Sequence, residues 1–329
     1  MLKLLVTGGL GFIGSNFILQ ILQNHDDYSI VNVDAGFYGS NHMNLVDIQD
    51  FANYKFVKGN ITDSYLMNKL ISDSDAVINF AAESFVDRSI SNAKPFLESN
   101  IRGVFTILEI LKEQKKKLVH ISTDEVYGSL KSESASENFR YNPSSPYAAS
   151  KASAELLINS YVITYGCDCI ITRCTNNYGP RQFPEKLIPK AILLANQGKK
   201  IPVYGNGKNI RDWIYVDEHC DAIYNVLMNG KSGESYNISA NNELDNLTIV
   251  KKILSLMNKS EDLIDFGEDR PGHDFRYSMN SSKIRNELGW LPKTSWQQGL
   301  DTTIKWYLSR IEQWKDLPSQ TLSSTPWKN

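Results

Sequence analysis

Apolar residues come in short runs along the first half of the chain, and each run gives way to glycine, aspartate or other polar residues. Lys3 to Thr7, Ser29 to Val33, Tyr54 to Gly59, Ala76 to Ala82, Leu118 to Ser122 and Cys169 to Thr172 read as strands. Ala76 to Ala82 is almost wholly apolar, as a strand buried on both faces should be. Between the runs the period lengthens to that of a helix. Phe17, Ile18, Ile21 and Leu22 mark one helix, Pro95 to Lys112 another and Tyr147 to Tyr165 a third. The third contains Ala148, Ala149, Ala152, Ala154, Leu156 and Leu157, all of high helix propensity. Strands alternating with helices predict an α/β fold with a doubly wound parallel (Rossmann) sheet.

After Thr175 the alternation breaks down. A helix is expected over Lys186 to Leu194, a strand and turn over Ile201 to Gly207, and a strand then a helix over Arg211 to Leu227. Asp265 to Ser278 is polar and charged, and Trp296 to Trp306 closes the pattern with an amphipathic helix. This assigns 1–178 to the sheet domain, which the chain re-enters over about 212–240 and 294–314. A smaller, discontinuous α/β lobe takes 179–211 and 241–293, leaving 315–329 as a tail. The tail is rich in Ser, Thr and Pro from Pro318 onward and is expected to be poorly ordered. Ser129 to Pro146 is a long polar stretch without period, expected to be a flap over a site. The cleft should lie between the two lobes.

Composition narrows the partners. The 329 residues carry a net charge of −2, which offers no field for nucleic acid or an anionic membrane. No apolar run approaches membrane-spanning length, and the chain starts on a strand without a leader pattern. Cys167, Cys169, Cys174 and Cys220 lack zinc spacing, so buried thiols in a reducing cytoplasm are expected, with no metal site.

Three features carry chemistry. Gly8-Gly-Leu-Gly-Phe-Ile-Gly14 lies between a strand and a helix, where glycines let a pyrophosphate approach backbone N–H groups and a helix N-terminus. Gly8, Gly11, Phe12, Ile13 and Gly14 are the candidate contacts. Asp34, 20 residues beyond Gly14, suits an adenosine ribose and favours NAD over NADP. Tyr147 and Lys151 share one helix face, where a cation can stabilise a phenolate and make tyrosine a base. Thr123, Asp124 and Glu125 follow the central strand. Adjacent strand residues point to opposite faces, so both acids reach one pocket only if the strand ends near Thr123. Two neighbouring carboxyl groups drive each other's pKa apart, so one can act as acid and the other as base.

The glycine loop, the hydroxyl at Ser122 or Thr123 and the Tyr-x-x-x-Lys pair together resemble the extended short-chain dehydrogenase/reductase superfamily. Thr123-Asp-Glu-Val-Tyr-Gly128 resembles the signature of nucleotide-sugar 4,6-dehydratases, above all those acting on dTDP-glucose. Ala81-Ala-Glu-Ser84, Val86-Asp-Arg-Ser-Ile90, Asn176 to Pro180, Phe183 to Pro189, Ile210 to Trp213 and Asp269 to Asp274 extend the likeness over nearly the whole chain.

The resemblance implies transient oxidation at the sugar C4 by bound NAD, loss of the C6 hydroxyl as water and return of the hydride to C6. It implies Tyr147 as the first base, Lys151 as its partner, Thr123 on O4, Glu125 as the base at C5 and Asp124 as the acid at C6. It adds Asn60, Ile61 and Ala81 to the cofactor contacts. Ser84, Asn176, Asn177, Lys186, Leu187, Arg211, Arg270 and His273 become candidates for the nucleotide sugar. A homodimer through the Pro95–Lys112 and Tyr147–Tyr165 helices is also implied. Departures at Phe85, Ala35 to Asn41, Asn60 and Arg181-Gln182 leave UDP-glucose and UDP-N-acetylglucosamine open beside dTDP-glucose. A 4-epimerase or decarboxylase is the rival reading, against which Asp124 speaks. Of the histidines, His25, His42 and His219 look bland, His120 looks like a satisfied buried ring, and only His273 has a motif around it.

Overall fold

A computed structural model describes residues 1–328. The strands are β1 (Leu2–Thr7), β2 (Tyr28–Asp34), β3 (Tyr54–Lys58), β4 (Ala76–Asn79), β5 (Lys117–Thr123), β6 (Cys169–Cys174), β7 (Asn176–Tyr178), β8 (Ile201–Tyr204), β9 (Ile210–Tyr215), β10 (Ser235–Ile238), β11 (Glu243–Asp245) and β12 (Ile264–Gly267). The α-helices are α1 (Phe12–Asn24), α2 (Ser64–Ser72), α3 (Val86–Ser91), α4 (Lys94–Phe96), α5 (Gly103–Gln114), α6 (Pro146–Tyr165), α7 (Leu187–Asn196), α8 (Val216–Asn229), α9 (Asn246–Leu256), α10 (Ser282–Leu288) and α11 (Trp296–Ser309).

Seven strands form one sheet in the order β10-β6-β5-β4-β1-β2-β3, with every pairing parallel. Helices α1 and α8 close one apolar layer through residues such as Phe17, Ile18, Ile223 and Val226. Helices α2, α5 and α6 close the other through Met67, Ile107, Leu108 and Ile158. The strand order reverses between β1 and β4, and the crevice outside their carboxyl ends is where such sheets bind ligands. The fourth strand stops at Asn79, short of Ala82, because the chain there turns out over that crevice.

The smaller lobe has its own core of Ile188, Ile192, Val203, Trp213, Ile253 and Leu300. Its sheets are β11-β9-β7 and β12-β8. Two expected returns to the large domain are corrected here. The strand at Ile210–Tyr215 pairs with β7 and β11, while α8 and β10 rejoin the large domain, as does α10, expected in the lobe, which packs Ile284 into the large-domain core. Helix α11 packs Leu300, Ile304 and Tyr307 into the lobe core, since its apolar stripe meets α7 and α9 rather than the large sheet.

The predicted helix at Pro95–Lys112 is interrupted by a π turn, Leu97–Arg102. The stretch 129–146 is no flap. Leu130 and Ala135 are buried beside Tyr127, Ala152 and Met279, and Ala135 pairs with the 278–280 segment. Among the described residues none of 129–146 lines a cavity of the cleft. The tail is also ordered: Thr321 and Trp327 are buried, and Lys190 Nζ donates to the Ser323 carbonyl at 3.1 Å. A few well-placed apolar side chains anchor segments whose average composition is polar. Among the described residues no helix is long and apolar enough to cross a membrane, and the four cysteines are free and buried.

Candidate active site

Strand β5 ends at Thr123, and a 3-10 turn over Asp124–Tyr127 follows at once. The Thr123 hydroxyl caps that turn by accepting from the Glu125 N–H at 3.3 Å, and donates to Asp124 Oδ1 at 3.2 Å. Gly128 closes the turn at φ +70, with its α-carbon so near Asn142 that an added Cβ would lie 2.1 Å from the Asn142 carbonyl oxygen. The turn brings Asp124 and Glu125 into one cavity of about 270 Å³ together with Thr123, Tyr147 and Lys151.

The two carboxyl groups are unequal. Asp124 is 4 % exposed, and its Oδ2 has no hydrogen-bond partner. Burial first, and then Glu125, raise its pKa well above the ordinary carboxylate range. Glu125 is raised by burial too, but Arg270, Lys186 and Arg211 all pull it back down. Asp124 is therefore the more strongly raised of the two and the better suited to donate a proton, with Glu125 the better suited to accept one.

The tyrosine–lysine pair differs from expectation. Lys151 Nζ donates to the Ile121 carbonyl at 2.7 Å and lies 3.3 Å from His120 Nε2, so its bonds run to β5 rather than to the phenol. Burial lowers the Lys151 pKa to about 8. Burial, then Glu125, push the Tyr147 phenol well up, with the Thr123 hydroxyl acting in the opposite direction. A lysine four residues along does not by itself make this phenol a base.

The other end of the cavity is built for a dinucleotide. Gly8, Gly11, Phe12, Ile13, Gly14, Asp34, Asn60, Ile61 and Ala81 all line it. Gly8 sits at φ +71, and a Cβ there would lie 2.6 Å from Ala81 N, so the loop can lie against the end of β4 only as glycine. Helix α1 has Gly11 as N-cap and no side-chain cap, leaving the first-turn N–H groups of Phe12, Ile13 and Gly14 for an anion. Asp34 accepts from Leu10 N–H at 3.0 Å and Gly36 N–H at 2.8 Å, with lone pairs left for hydroxyl groups. These residues fit NAD.

A second cavity of about 160 Å³ runs from the catalytic end into the smaller lobe. Phe85, Glu125, Asn176, Asn177, Gln182 and Lys186 line both cavities, so the two form one bent cleft. Ser84 lies on the first cavity, and Leu187, Arg211, Arg270 and His273 on the second. Arg211 is held by the Asp274 carbonyl at 2.9 Å and stacks 4.1 Å over Tyr277. The Arg270 guanidinium pairs with Asp87 at 3.0 Å, and its Nε is buried without a partner. Lys186 Nζ donates to the Ser84 carbonyl at 3.0 Å.

Some candidates behave otherwise than expected. The Asn177 side chain is already engaged, donating to the Thr175 carbonyl at 3.0 Å and meeting His219 Nδ1 at 2.9 Å. Its neighbour Asn176 makes no side-chain hydrogen bond. His219, expected to be bland, is fully buried and fixes Asn177. Burial, then Arg270 and Arg211, lower His273 to about 4, so it is a neutral ring at pH 7. Tyr277, not foreseen, lies under Arg211 with its hydroxyl 3.4 Å from Glu125 Oε2. Its sequence context offers no signal, because the contact joins positions 152 residues apart. Phe85 packs edge-on against Tyr38 and Phe183.

A family model described as GDP-mannose 4,6 dehydratase matches residues 5–303. The chain is 44% identical to a dTDP-glucose 4,6-dehydratase of Mycobacterium tuberculosis, over 97% of each. It is 47% identical to the low-salt glycan biosynthesis protein Agl12 of Haloferax volcanii, over 94% of this chain and 100% of that one. Among solved structures it resembles DesIV, a dTDP-glucose 4,6-dehydratase from Streptomyces venezuelae crystallised with NAD and TYD bound. The TM-score is 0.94 at 41% identity, covering 96% of this chain and 100% of that one.

Proposed function

The chain belongs to the family described as GDP-mannose 4,6 dehydratase, and from that premise we propose how its residues dehydrate dTDP-glucose to the 4-keto-6-deoxy sugar. The activity is that of a hydro-lyase that uses NAD without net consumption. When bound, NAD would supply the acceptor and later donor of the hydride and a positive charge beside the Tyr147 phenol. The α1 N-terminus would hold its pyrophosphate, Asp34 its adenosine ribose, Asn60 and Ile61 its adenine, and Lys151 the ribose next to Tyr147.

Tyr147 takes the proton from the sugar O4, and the Thr123 hydroxyl holds that oxygen. A ketone at C4 acidifies the C5 hydrogen, which Glu125 removes. Asp124 gives its proton to the C6 hydroxyl, which leaves as water; once the hydride is back on C6, C5 takes up a proton again in place of the one Glu125 removed. Arg211 and Arg270 hold the diphosphate, with Lys186 and Asn176 nearer the sugar; Ser84, Leu187 and His273 shape the walls. The observation that carries this assignment is the unequal pair: two adjacent carboxyl groups in one cavity, both raised by burial, with three cations offsetting part of the rise at Glu125 and Asp124 left well above the ordinary range.

We also propose a homodimer, supported by the exposed Leu97 and Phe105 on the helical segment 94–114 and Leu156 and Ile163 on α6. A reducing cytoplasm fits the four free thiols.

Turnover of dTDP-glucose, UDP-glucose and UDP-N-acetylglucosamine side by side, read by mass, tests the assignment. The expected result is a product lighter by one water from dTDP-glucose, without added cofactor. Preferred turnover of a UDP-sugar would reassign the nucleotide. An isomer of unchanged mass would replace dehydration with epimerisation.

A further inference from the structure

The second cavity is backed by a chain of side chains that the dehydration chemistry leaves unused. Arg270 lines the cavity, and its NH1 donates to Asp87 Oδ1 at 3.0 Å. The other oxygen of Asp87 accepts from the Tyr204 hydroxyl at 2.9 Å. Tyr204 is the last residue of β8, and its ring meets the Trp327 ring edge to face, with centroids 4.9 Å apart at 90°. Trp327 lines neither cavity, yet it is only 7 % exposed.

The turn Pro326–Lys328 fastens both strands of a weak ribbon. β8 and β12 form a two-stranded sheet, an arrangement of marginal stability by itself. Trp327 packs on the end of β8, and Lys328 pairs at 2.5 Å with Glu268, the residue just after β12. The loop that leaves β12 at Glu268 carries Arg270 and His273 into the cavity. The same turn also packs against α3, which carries Asp87. Both partners of the Arg270–Asp87 pair are therefore braced from outside by one turn. Closer to β2, the tail is anchored again where the Tyr38 hydroxyl lies 3.2 Å from Thr321 Oγ1.

We propose that Trp327 is a positioning residue for the nucleotide-sugar arm: by backing Tyr204 it holds Asp87, and through Asp87 it holds Arg270 ready for the substrate diphosphate. The inference rests on the assignment of Arg270 to the diphosphate. Trp327 touches neither substrate nor reacting atoms, so it acts on binding and not on the chemical steps.

The test is calorimetric binding of dTDP together with the kinetics of dTDP-glucose turnover, on the full-length protein. Trp327→Ala is expected to weaken dTDP binding and raise KM about five-fold, with kcat changed by less than about two-fold. Trp327→Phe keeps an aromatic edge and should restore most of the affinity. In an Arg270→Ala background, Trp327→Ala should add less than about a further two-fold, because its route runs through the removed arginine. Full additivity in that background, an unchanged dTDP affinity in Trp327→Ala, or a Trp327→Phe variant as weak as the alanine would overturn the inference. If Trp327→Ala does not fold, Tyr204→Phe carries the same comparison, since it removes only the hydroxyl that holds Asp87. An Arg270→Ala variant with undiminished dTDP affinity would remove the diphosphate assignment itself. A weakened Arg270→Ala beside an unaffected Trp327→Ala would overturn the positioning role alone.

Discussion

Asp124 owes its acidity in the useful range to burial and to the neighbour that follows it. Its Oδ2 is buried without a partner, so the neutral form is the one the site tolerates. Replacing it with asparagine keeps the shape and removes the proton. Asp124→Asn should slow water loss by roughly 100-fold, yet still let the nicotinamide be reduced on mixing with dTDP-glucose. No reduction signal, despite intact binding, would take Asp124 out of the leaving-group role. Lys151 gives a second prediction. Its pKa falls from 10.5 free to about 8 in the fold, so below pH 8 the folded state pays for a buried charge. Between those values the unfolded chain binds more protons, and stability rises with pH. Relative to Lys151→Met, the parent should gain on the order of 3 kcal/mol from pH 8 to 10.5, measured by denaturant unfolding. A parallel pH dependence of the two would place the lysine in a solvated site. The acids, the tyrosine and the lysine were legible in the sequence because they fall within nine consecutive residues of a strand end or one helix turn. Tyr277 and His219 were not, since each acts through a partner distant in sequence.

Strand β5, the turn that follows it and helix α6 carry the proposed catalytic groups, and a buried ion pair sets their registration. Arg173 on β6 binds Glu155 on α6 at 2.5 Å, and Glu155 also accepts from Ser122 on β5 at 2.5 Å. Arg173 further reaches the Tyr127 hydroxyl at 2.6 Å and the Glu137 carbonyl at 2.9 Å. The pair thus ties β5, β6, α6, the catalytic turn and the 129–146 stretch together. Arg173→Met would leave the Glu155 carboxyl buried without its partner. It should cost about 3–5 kcal/mol in denaturant unfolding, whereas Arg173→Met with Glu155→Leu should recover much of that loss. A loss below about 1 kcal/mol would make the pair incidental. Six of the seven parallel strands follow from hydrophobic period, whereas β10 and α2 were not foreseen, and the end of β5 at Thr123 was expected only as the condition for both acids to share a pocket. The fate of 129–146 does not follow from that period. Its anchors, Leu130 and Ala135, are scattered among polar residues, and they matter only because Met279 comes to meet them.

Across the whole molecule, two lobes enclose a bent cleft whose arms meet at Glu125 and Lys186. One arm starts at the crevice between β1 and β4, and the other ends on Arg270 beside a ribbon fastened by the C-terminal turn. The two-lobe plan was readable where strand and helix stop alternating. The boundaries were less so: α11 has an ordinary amphipathic pattern, and nothing in such a pattern says which core receives it. The proposed mechanism places oxidation, water loss and reduction on one bound hexose, without release of any intermediate. The direct measurement is turnover of dTDP-glucose deuterated at C4. The expected product is lighter by one water and carries the deuterium at C6. Deuterium released to solvent, or a product that has lost no water, would contradict it.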